Sequence, residues 1–284
     1  MNQLKEYFFH RQLLSLHWKI IKHLNSLPKN QINEEQQKVL SYLKRNLISV
    51  FPYSFTKKYK SNKFEIYKDK SNSLNYVVQD GKRLYFKRDF DEKSIRRCYP
   101  VLQIEQDIES PHRYLTEDFD VDLGDIVLDI GAAEGNFSLS IVEKVEKIFL
   151  FEADAMWLDA LESTFSPWKS KIEIINKFVS NFDDDNNFTL DNFFKSNKKI
   201  DFIKMDVEGA ELDVLKGSKN ILEKENQIKL AVSTYHRQND AKEINELLKR
   251  NNFTTEFSNG YMIFYYDKLE APYLRKALIR AKKG

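Results

Sequence analysis

The chain has 284 residues, of which 42% are hydrophobic and 13% are aromatic. This is enough for one large or two modest domains with a substantial core, so disorder of the whole chain is excluded. The 45 lysines and arginines nearly balance the 43 acidic residues, and the net charge of +2 gives no general attraction to nucleic acid. The single cysteine, Cys98, excludes an intramolecular disulfide and a cysteine-based zinc site. No apolar run is long enough to span a bilayer and the N-terminus lacks a signal-peptide core, so we expect a cytoplasmic protein.

Residues 1–110 are predicted to form an N-terminal extension that begins with two helices. Apolar residues recur at helical spacing near 7–27 and again near 34–47. The first of these helices is basic, which permits peripheral contact with a membrane surface, although packing on its own domain is the simpler interpretation. We expect this extension to provide contacts to the substrate or to a second subunit of an oligomer.

A strand-like pattern follows the two helices. It covers 64–67, 76–78 and 84–86, and Asp80-Gly81 lies between the last two segments. An Asp-Gly pair between two strands is a strong signal for a tight hairpin turn. The sequence therefore predicts a small β-appendage near the end of the extension.

Residues 111–284 alternate between strand and helix patterns, which is typical of a parallel sheet covered by helices. We predict a Rossmann-like, doubly wound α/β domain with a mostly parallel sheet of seven strands. The predicted strands lie near 126–130, 148–152, 172–176, 200–206, 228–235, 253–257 and 261–266.

The loop after the first of these strands predicts a nucleotide site. The strand runs into Asp129 and then into a loop with Gly131 and Gly135, and the second strand ends on Glu152. Such glycines let a ligand approach the backbone, and a carboxylate about 20 residues further on lies beside the hydroxyls of a ribose. Ala133 stands where a dinucleotide-binding loop has its second glycine, which favours S-adenosylmethionine over NAD.

A second group of charged residues follows the fourth predicted strand. Lys204, Asp206 and Glu208 alternate along one side of its carboxyl end, where open α/β sheets bind their ligands. A buried parallel strand is otherwise almost wholly apolar, so these charges need a reason. One interpretation is structural, with a Lys204–Asp206 ion pair and with Glu211 stabilising the first turn of the next helix. We favour a mixed one, in which Lys204 and Glu211 are structural while Asp206 and Glu208 face the site.

Three segments of this domain carry a family resemblance. They read Asp-Ile-Gly-Ala-Ala-Glu-Gly-Asn-Phe at 129–137, Phe-Glu at 151–152 and Lys-Met-Asp-Val-Glu-Gly-Ala-Glu-Leu at 204–212. Together they resemble the FkbM family of S-adenosylmethionine-dependent methyltransferases over about residues 112–284. The resemblance implies a Rossmann-like domain that transfers a methyl group, most often to a hydroxyl oxygen of a sugar or natural product. The chain departs from the family at Glu134, where a small or apolar residue is more usual.

The resemblance also implies which residues bind S-adenosylmethionine. Asp129, Gly131 and Gly135 would line its methionine part, Glu152 would hold the ribose, and Asp206 would lie beside the sulfonium. The other residues predicted to bind the cofactor are Ala132, Asn136, Phe137, Ala153 and Phe178. We place the last two at the edge of the adenine pocket.

Methylation of a hydroxyl also calls for a group that takes its proton. His236 ends the fifth predicted strand, at the same sheet edge as Asp206 and Glu208. We therefore predict these three as the catalytic residues, with His236 as the general base. His112 is the second candidate for the base, and Asp206 is a competing one. Two carboxylates and an imidazole suit a divalent ion too, but nothing in their spacing requires one, so no metal is predicted.

Other functions fit the sequence less well. Nucleic-acid methyltransferases that modify amino groups usually have Asn-Pro-Pro-Tyr or a relative after the fourth strand, where this chain has Asp-Val-Glu-Gly. An NAD-dependent oxidoreductase would need the missing second glycine, and a nucleotide-binding module without activity has no use for a complete cofactor pocket. The expected acceptor is therefore a small molecule, a sugar or a lipid-linked glycan. Five basic residues near the C-terminus suit an anionic glycan, although a solvated tail is the simpler interpretation: Arg275, Lys276, Arg280, Lys282 and Lys283.

Overall fold

The computed structural model describes residues 3–59, 63–194, 199–266 and 269–284. Its α-helices are α1 (Gln3–Ser26), α2 (Glu34–Leu43), α3 (Glu92–Glu105), α4 (Asn136–Ile141), α5 (Leu158–Phe165), α6 (Leu190–Phe193), α7 (Glu211–Lys216), α8 (Lys219–Lys224) and α9 (Asp240–Arg250). Its strands are β1 (Tyr67–Lys68), β2 (Asn75–Gln79), β3 (Lys82–Tyr85), β4 (Ile126–Ile130), β5 (Lys147–Phe151), β6 (Ile172–Ile175), β7 (Phe178–Val179), β8 (Asn187–Phe188), β9 (Phe202–Met205), β10 (Ile228–Ser233), β11 (Thr254–Phe257) and β12 (Leu278–Lys283). Short 3-10 helices cover Ser54–Lys58, Ala155–Trp157 and Ser166–Lys171.

A seven-stranded sheet forms the centre of the fold, with the strand order β6-β5-β4-β9-β10-β12-β11. The first five of these strands are parallel, whereas β12 runs antiparallel to both of its neighbours. The chain builds outward from β4 to one side and then returns to the other side at β9. The carboxyl ends of β4 and β9 therefore flank a crevice of the kind in which such sheets bind ligands. The predicted doubly wound, Rossmann-like α/β class with a mostly parallel seven-stranded sheet is confirmed.

The seventh strand is not where the sequence predicted it. Residues 261–266 form no strand, and Met262 is paired with Arg275 in an isolated bridge. The seventh place belongs to β12, between β10 and β11. Its apolar residues are buried, but the basic residues between them hide the apolar run that marks an inner strand.

The basic residues near the C-terminus are not a solvated tail. Arg275 is buried, and it donates a hydrogen bond to the carbonyl of Tyr235 at 2.7 Å. Arg280 lies in β12 and donates to the carbonyl of Tyr114 at 3.1 Å. These guanidinium groups are used to bind backbone oxygens beside the sheet. The expectation of a free basic tail for an anionic glycan is therefore wrong for both arginines.

Helices α1 and α2 pack against each other and against residues of the segments 261–266 and 269–274. Their shared apolar cluster includes Ile20, Leu24 and Ile263, all nearly inaccessible to solvent. Among the described helices, none combines the length and the apolar character needed to cross a bilayer.

The β2–β3 hairpin and α3 pack on the sheet itself. Asp80 and Gly81 form the predicted tight turn, with φ values of 50° and 77°. The backbone N–H of Tyr85 donates to Thr164 Oγ1 on α5 at 3.0 Å, and residues of the hairpin and α3 share one buried core with the sheet. Since the extension contributes to that core, the domain boundary near residue 110 stays a prediction.

Candidate functional site

The two glycines of the loop after β4 are required by packing. Gly131 has a φ of +78°, and a Cβ added there would lie 1.9 Å from the carbonyl oxygen of Asp206. Gly135 has a φ of +80°, and a Cβ there would lie 2.7 Å from the ring of Phe165. A side chain at either position would force the loop away from its neighbours. Gly131 borders both cavities described below, whereas Gly135 faces α5 instead of the predicted methionine site.

Asp129 is fully buried beneath this loop. Its carboxylate lies 2.9 Å from Lys204 Nζ and accepts a hydrogen bond from Ser138 Oγ at 2.7 Å. Lys204 Nζ also donates to the carbonyl of Gly131 at 2.6 Å. The ion-pair partner of Lys204 is therefore Asp129, and not Asp206 as the structural interpretation of the sequence had it. Asp129 fixes the loop from below, and its contact with a methionine moiety stays a prediction.

A cavity of about 480 Å³ opens at the carboxyl ends of β4, β5 and β9. Small-molecule sites commonly have volumes of about 300–1,000 Å³. Six of the residues predicted for the site border this cavity: Gly131, Glu152, Ala153, Phe178, Asp206 and Glu208. Five of the ten residues predicted to bind the cofactor therefore meet at this cavity.

Glu152 directly follows β5 and brings its carboxylate to this cavity. Oε2 accepts a hydrogen bond from the Ala133 N–H at 2.7 Å, and Oε1 accepts one from the Asp154 N–H at 2.8 Å. Each oxygen has a second lone pair, so the carboxylate can accept two further hydrogen bonds. Burial raises the pKa of Glu152, although the two backbone N–H groups oppose this. A pair of neighbouring hydroxyls would find both of its acceptors on this one side chain.

Phe178 begins β7 and borders the same cavity, yet its ring is 58% exposed. Such exposure does not fit a phenylalanine that packs in the core. An aromatic face at the edge of a cavity suits stacking on a planar ligand ring. Ala153 and Trp157 border the cavity as well.

A second cavity, of about 200 Å³, adjoins the first. Four residues border both cavities: Gly131, Ala133, Asp206 and Glu208. Ala132, Asn136 and Phe137, which were predicted to bind the cofactor, border the second cavity and not the first. Glu105 from α3 and Glu134 from the loop complete its acidic wall. A ligand in one cavity would thus meet a ligand in the other near the end of β9.

Asp206 is the centre of a polar network at this meeting point. Tyr114 Oη donates to Oδ2 at 2.6 Å, and His112 Nε2 lies 3.2 Å from the same oxygen. At Oδ1, Tyr235 Oη donates at 3.4 Å and His236 Nε2 lies at 3.5 Å. Burial alone would raise the pKa of Asp206, but the hydrogen bond and charge of His112 and the other nearby cations hold it far below its usual value. Asp206 is therefore a stable anion and a weak base.

His236 lies behind Asp206 and is only 5% exposed. Its Nδ1 is 2.9 Å from Glu211 Oε1, and its Nε2 faces Asp206. Burial alone would lower the pKa of His236, but the hydrogen bond with Glu211 and the charges of Asp206 and Glu211 raise it above its usual value. A raised pKa favours the protonated imidazole, which cannot take a proton. This geometry weighs against His236 as the general base, and that role stays an untested prediction.

The group of side chains with metal-ligand chemistry differs from the predicted one. Donor atoms of Asp206, Glu211 and His236 lie within 4.8 Å of one another. Glu208, predicted in place of Glu211, is exposed and has a φ of +56° in the turn after β9. Glu211 Oε1 already accepts the N–H of Val207 at 2.9 Å. Glu211 Oε2 itself has no hydrogen-bond partner among the described residues, and its structural role stays a prediction.

A third cavity, of about 300 Å³, lies on the far side of α3. It shares Glu105 and Tyr235 with the second cavity. Most of its wall is aromatic or aliphatic, including Phe51, Phe264 and Tyr265. The three cavities thus form a series from the strand ends of the sheet to an aromatic pocket.

Sequence patterns missed several residues of the second cavity. One sequence feature could have indicated Glu105. An acidic residue in the last turn of a helix interacts unfavourably with the helix dipole, so its presence there suggests a function other than helix stability. Tyr114 and Tyr235 gave none, because their contact with Asp206 joins segments more than ninety and almost thirty residues apart. Glu134 was noticed as a departure from the family, without a role.

The sheet order and the crevice at the ends of β4 and β9 define a methyltransferase-like α/β fold. A similarity in sequence covers part of this domain. Residues 130–255 match the family model described as a methyltransferase FkbM domain, which confirms the resemblance predicted from the motifs. This segment is thus similar to a domain found in enzymes that transfer methyl groups.

Solved structures to which the chain is similar include an FkbM methyltransferase from Methylobacillus flagellatus KT, with 17% identity over 66% of this chain and 60% of that chain and a TM-score of 0.47. A precorrin-6y C5,15-methyltransferase from Geobacter metallireducens GS-15 has 12% identity over 73% of this chain and 97% of its own, with a TM-score of 0.43. A Streptococcus mutans protein described as a methyltransferase, in complex with SAH, has 16% identity over 58% and 91%, with a TM-score of 0.38. No curated protein matches the sequence.

Proposed function

We propose that the chain is an S-adenosylmethionine-dependent O-methyltransferase that acts on a hydroxyl of a sugar, a glycan or another small molecule. The observation that carries this proposal is the junction of two cavities at Gly131, Ala133, Asp206 and Glu208. The first cavity has the size and the residues for the cofactor. The second is smaller and more polar, as a hydroxyl-bearing acceptor requires.

The residues of the first cavity fit S-adenosylmethionine. Glu152 offers two free acceptor positions for the ribose hydroxyls, and the exposed ring of Phe178 offers a face for adenine. Asp206 is an anion at the junction, where a positive sulfonium would be stabilised. When bound, this cofactor supplies a methyl group on a sulfonium, which leaves as a neutral thioether.

The chain's own contribution is alignment and exclusion of water. An in-line displacement needs the acceptor oxygen, the methyl carbon and the sulfur in one line. Gly131 and Ala133 bring the backbone close to the junction without bulk, while Tyr114 holds Asp206 in place at 2.6 Å. The rigid strand ends thereby fix the position of the transfer relative to both cavities.

Calorimetric titration of the full chain with S-adenosylmethionine, S-adenosylhomocysteine and NADH tests the cofactor. We expect binding of the first two and none of NADH. Binding of NADH alone would overturn the proposal and support an oxidoreductase.

Incubation with a methyl-labelled donor and a panel of acceptors tests the reaction. The panel contains sugars, lipid-linked glycans, small phenols, small alcohols and RNA. We expect label on a hydroxyl oxygen of a small acceptor, identified by mass spectrometry and NMR of the product. Label found on nucleic acid or on a nitrogen would contradict O-methylation of a small molecule.

A further inference from the structure

The carboxylates around the second cavity are of two kinds. Asp206 borders the cavity and has His112 Nε2 at 3.2 Å, and Asp129 beneath the loop has Lys204 Nζ at 2.9 Å. Glu105, Glu134 and Glu208 border the cavity too, and within the described part of the chain none of them forms an ion pair. Glu208 is exposed, whereas Glu105 is half-buried and Glu134 is buried. Removing carboxylates from water without a cation is costly, so two such groups at one cavity indicate a task other than stability.

Glu134 is the better placed of the two. It is only 8% exposed and follows Ala133, which borders both cavities. Its side chain is thus at the wall of the acceptor cavity, next to the point where the methyl group would be transferred.

We propose that Glu134 is the general base that takes the proton of the acceptor hydroxyl, and that a positive charge in the first cavity favours its ionised form. This inference rests on the proposed function. Glu134 takes the hydroxyl proton while the acceptor oxygen bonds to the methyl carbon. The carbon–sulfur bond breaks at the same time, and its electron pair remains on sulfur.

The charges around Glu134 support this role. Burial raises the pKa of Glu134 to about 8; the charges of Glu105 and Asp129 raise it, while its own backbone N–H and Lys204 lower it. Cys98 on α3 also faces the two glutamates, but burial raises the pKa of its thiol to about 12, so it stays neutral. A general base works best when its pKa is close to the working pH. The positive sulfonium of a bound cofactor would lower the pKa of Glu134 from this raised value. The base would therefore ionise more readily when the methyl donor is present.

This coupling predicts a proton count that can be measured without any acceptor. S-adenosylmethionine carries a positive sulfur and S-adenosylhomocysteine a neutral one. At about pH 7.5, Glu134 is mostly protonated in the free protein, so binding of the methionine form should release about half a proton more than binding of the homocysteine form. Titration of the full chain in phosphate and in Tris, which differ in their ionisation enthalpy, gives these two counts.

The matched variants are Glu134→Gln and, as a control, Glu117→Gln at an exposed carboxylate between α3 and β4. We expect Glu134→Gln to bind both ligands but to lose the difference in proton release, and Glu117→Gln to keep it. Equal counts for the two ligands in the wild type, or a difference that persists in Glu134→Gln, would overturn the inference while leaving cofactor binding intact. If neither ligand binds the wild type, the proposed function fails and this inference fails with it.

A second measurement on the wild type keeps the test independent of the variant's folding. The affinity for S-adenosylmethionine relative to S-adenosylhomocysteine should rise by up to about tenfold as pH increases through 8, since a change of one pKa unit corresponds to that factor. A ratio that stays constant across this range would overturn the inference. His236 also titrates near the junction, so His236→Gln should leave the rise in place.

Discussion

The ammonium of Lys204 lies 2.9 Å from the carboxylate of Asp129, and both side chains are almost completely buried. This pair joins β9 to β4 below the glycine loop. We expect Lys204→Met to lower the free energy of unfolding by about 3–5 kcal/mol, because it leaves the Asp129 carboxylate buried without a partner. Urea denaturation measures this loss. The double variant Asp129→Asn with Lys204→Met should recover most of it, and a double variant as unstable as the single one would show that the ion pair is not the cause.

Glu152 is expected to bind the ribose of the cofactor. We expect Glu152→Ala to lose roughly 2–4 kcal/mol of binding free energy for S-adenosylhomocysteine, because two charge-assisted hydrogen bonds are removed. Because Glu152 also accepts the N–H groups of Ala133 and Asp154, Glu152→Gln is the better-matched variant, and it should lose part of this affinity. The exposed Glu146→Gln serves as the control in the same calorimetric titration. A folded Glu152 variant with unchanged affinity would remove this residue from the site.

His236 should make stability depend on pH. Its pKa is raised in the folded protein by Glu211 and Asp206. Its contribution to the free energy of unfolding is therefore complete below pH 6.5, the usual value for histidine, and is lost as the pH rises through the higher folded value. Urea denaturation from about pH 6 to pH 9 should show this decline in the wild type and a weaker one in His236→Gln.

The activity of His236→Ala separates two candidates for the base. If His236 takes the proton, this variant should slow methyl transfer by roughly 10²–10⁴-fold with cofactor affinity nearly unchanged. If Glu134 takes the proton, Glu134→Gln should slow methyl transfer by that factor instead. His236→Ala should then slow it less, because it acts only by changing the surroundings of Asp206. Turnover of both variants on the same acceptor decides between these outcomes.

Gly131 and Gly81 share almost the same backbone conformation but differ in their surroundings. Their φ values are +78° and +77°, yet a Cβ at Gly131 would lie 1.9 Å from the Asp206 carbonyl oxygen, whereas one at Gly81 meets nothing within 4 Å. We expect Gly81→Ala to cost about 1–2 kcal/mol from backbone strain alone. Gly131→Ala should cost about 3 kcal/mol or more, because the clash with backbone is added. Similar losses in thermal denaturation would show that the close contact is unimportant.

Much of the sheet was predictable because its inner strands are apolar runs followed by glycines or acids. β4, β5 and β9 lie within two residues of their predicted bounds for this reason. β12 was not predicted, since its arginine and lysines interrupt the apolar run and find their partners in distant backbone carbonyls. The helix α3 was missed as well, although Ile95, Tyr99 and Leu102 lie on one face and are buried.

The sequence predicted which residues belong to the site better than it predicted the contacts between them. Glu152 and Asp206 were found from the order of motifs along the chain, and both reach the first cavity. The side chains that contact the Asp206 carboxylate come from other segments, such as His112 and Tyr114 between α3 and β4. No local pattern shows that His236 Nδ1 lies 2.9 Å from Glu211 Oε1. The rise in the pKa of His236 was therefore not predictable from its place at the strand end.

The aromatic third cavity is built from parts of the chain that the parallel strands do not supply. Apart from Tyr235, its walls come from the segments 49–56 and 262–266 and from α3, and these lie outside residues 130–255. Only Glu105 and Tyr235 connect it with the polar second cavity among the residues that border them. Substitutions at the other residues of this outer pocket can therefore change its shape without altering the segment that the family model matches. Under the proposed function, the residues that select the acceptor and those that align the methyl transfer would come largely from different parts of the chain.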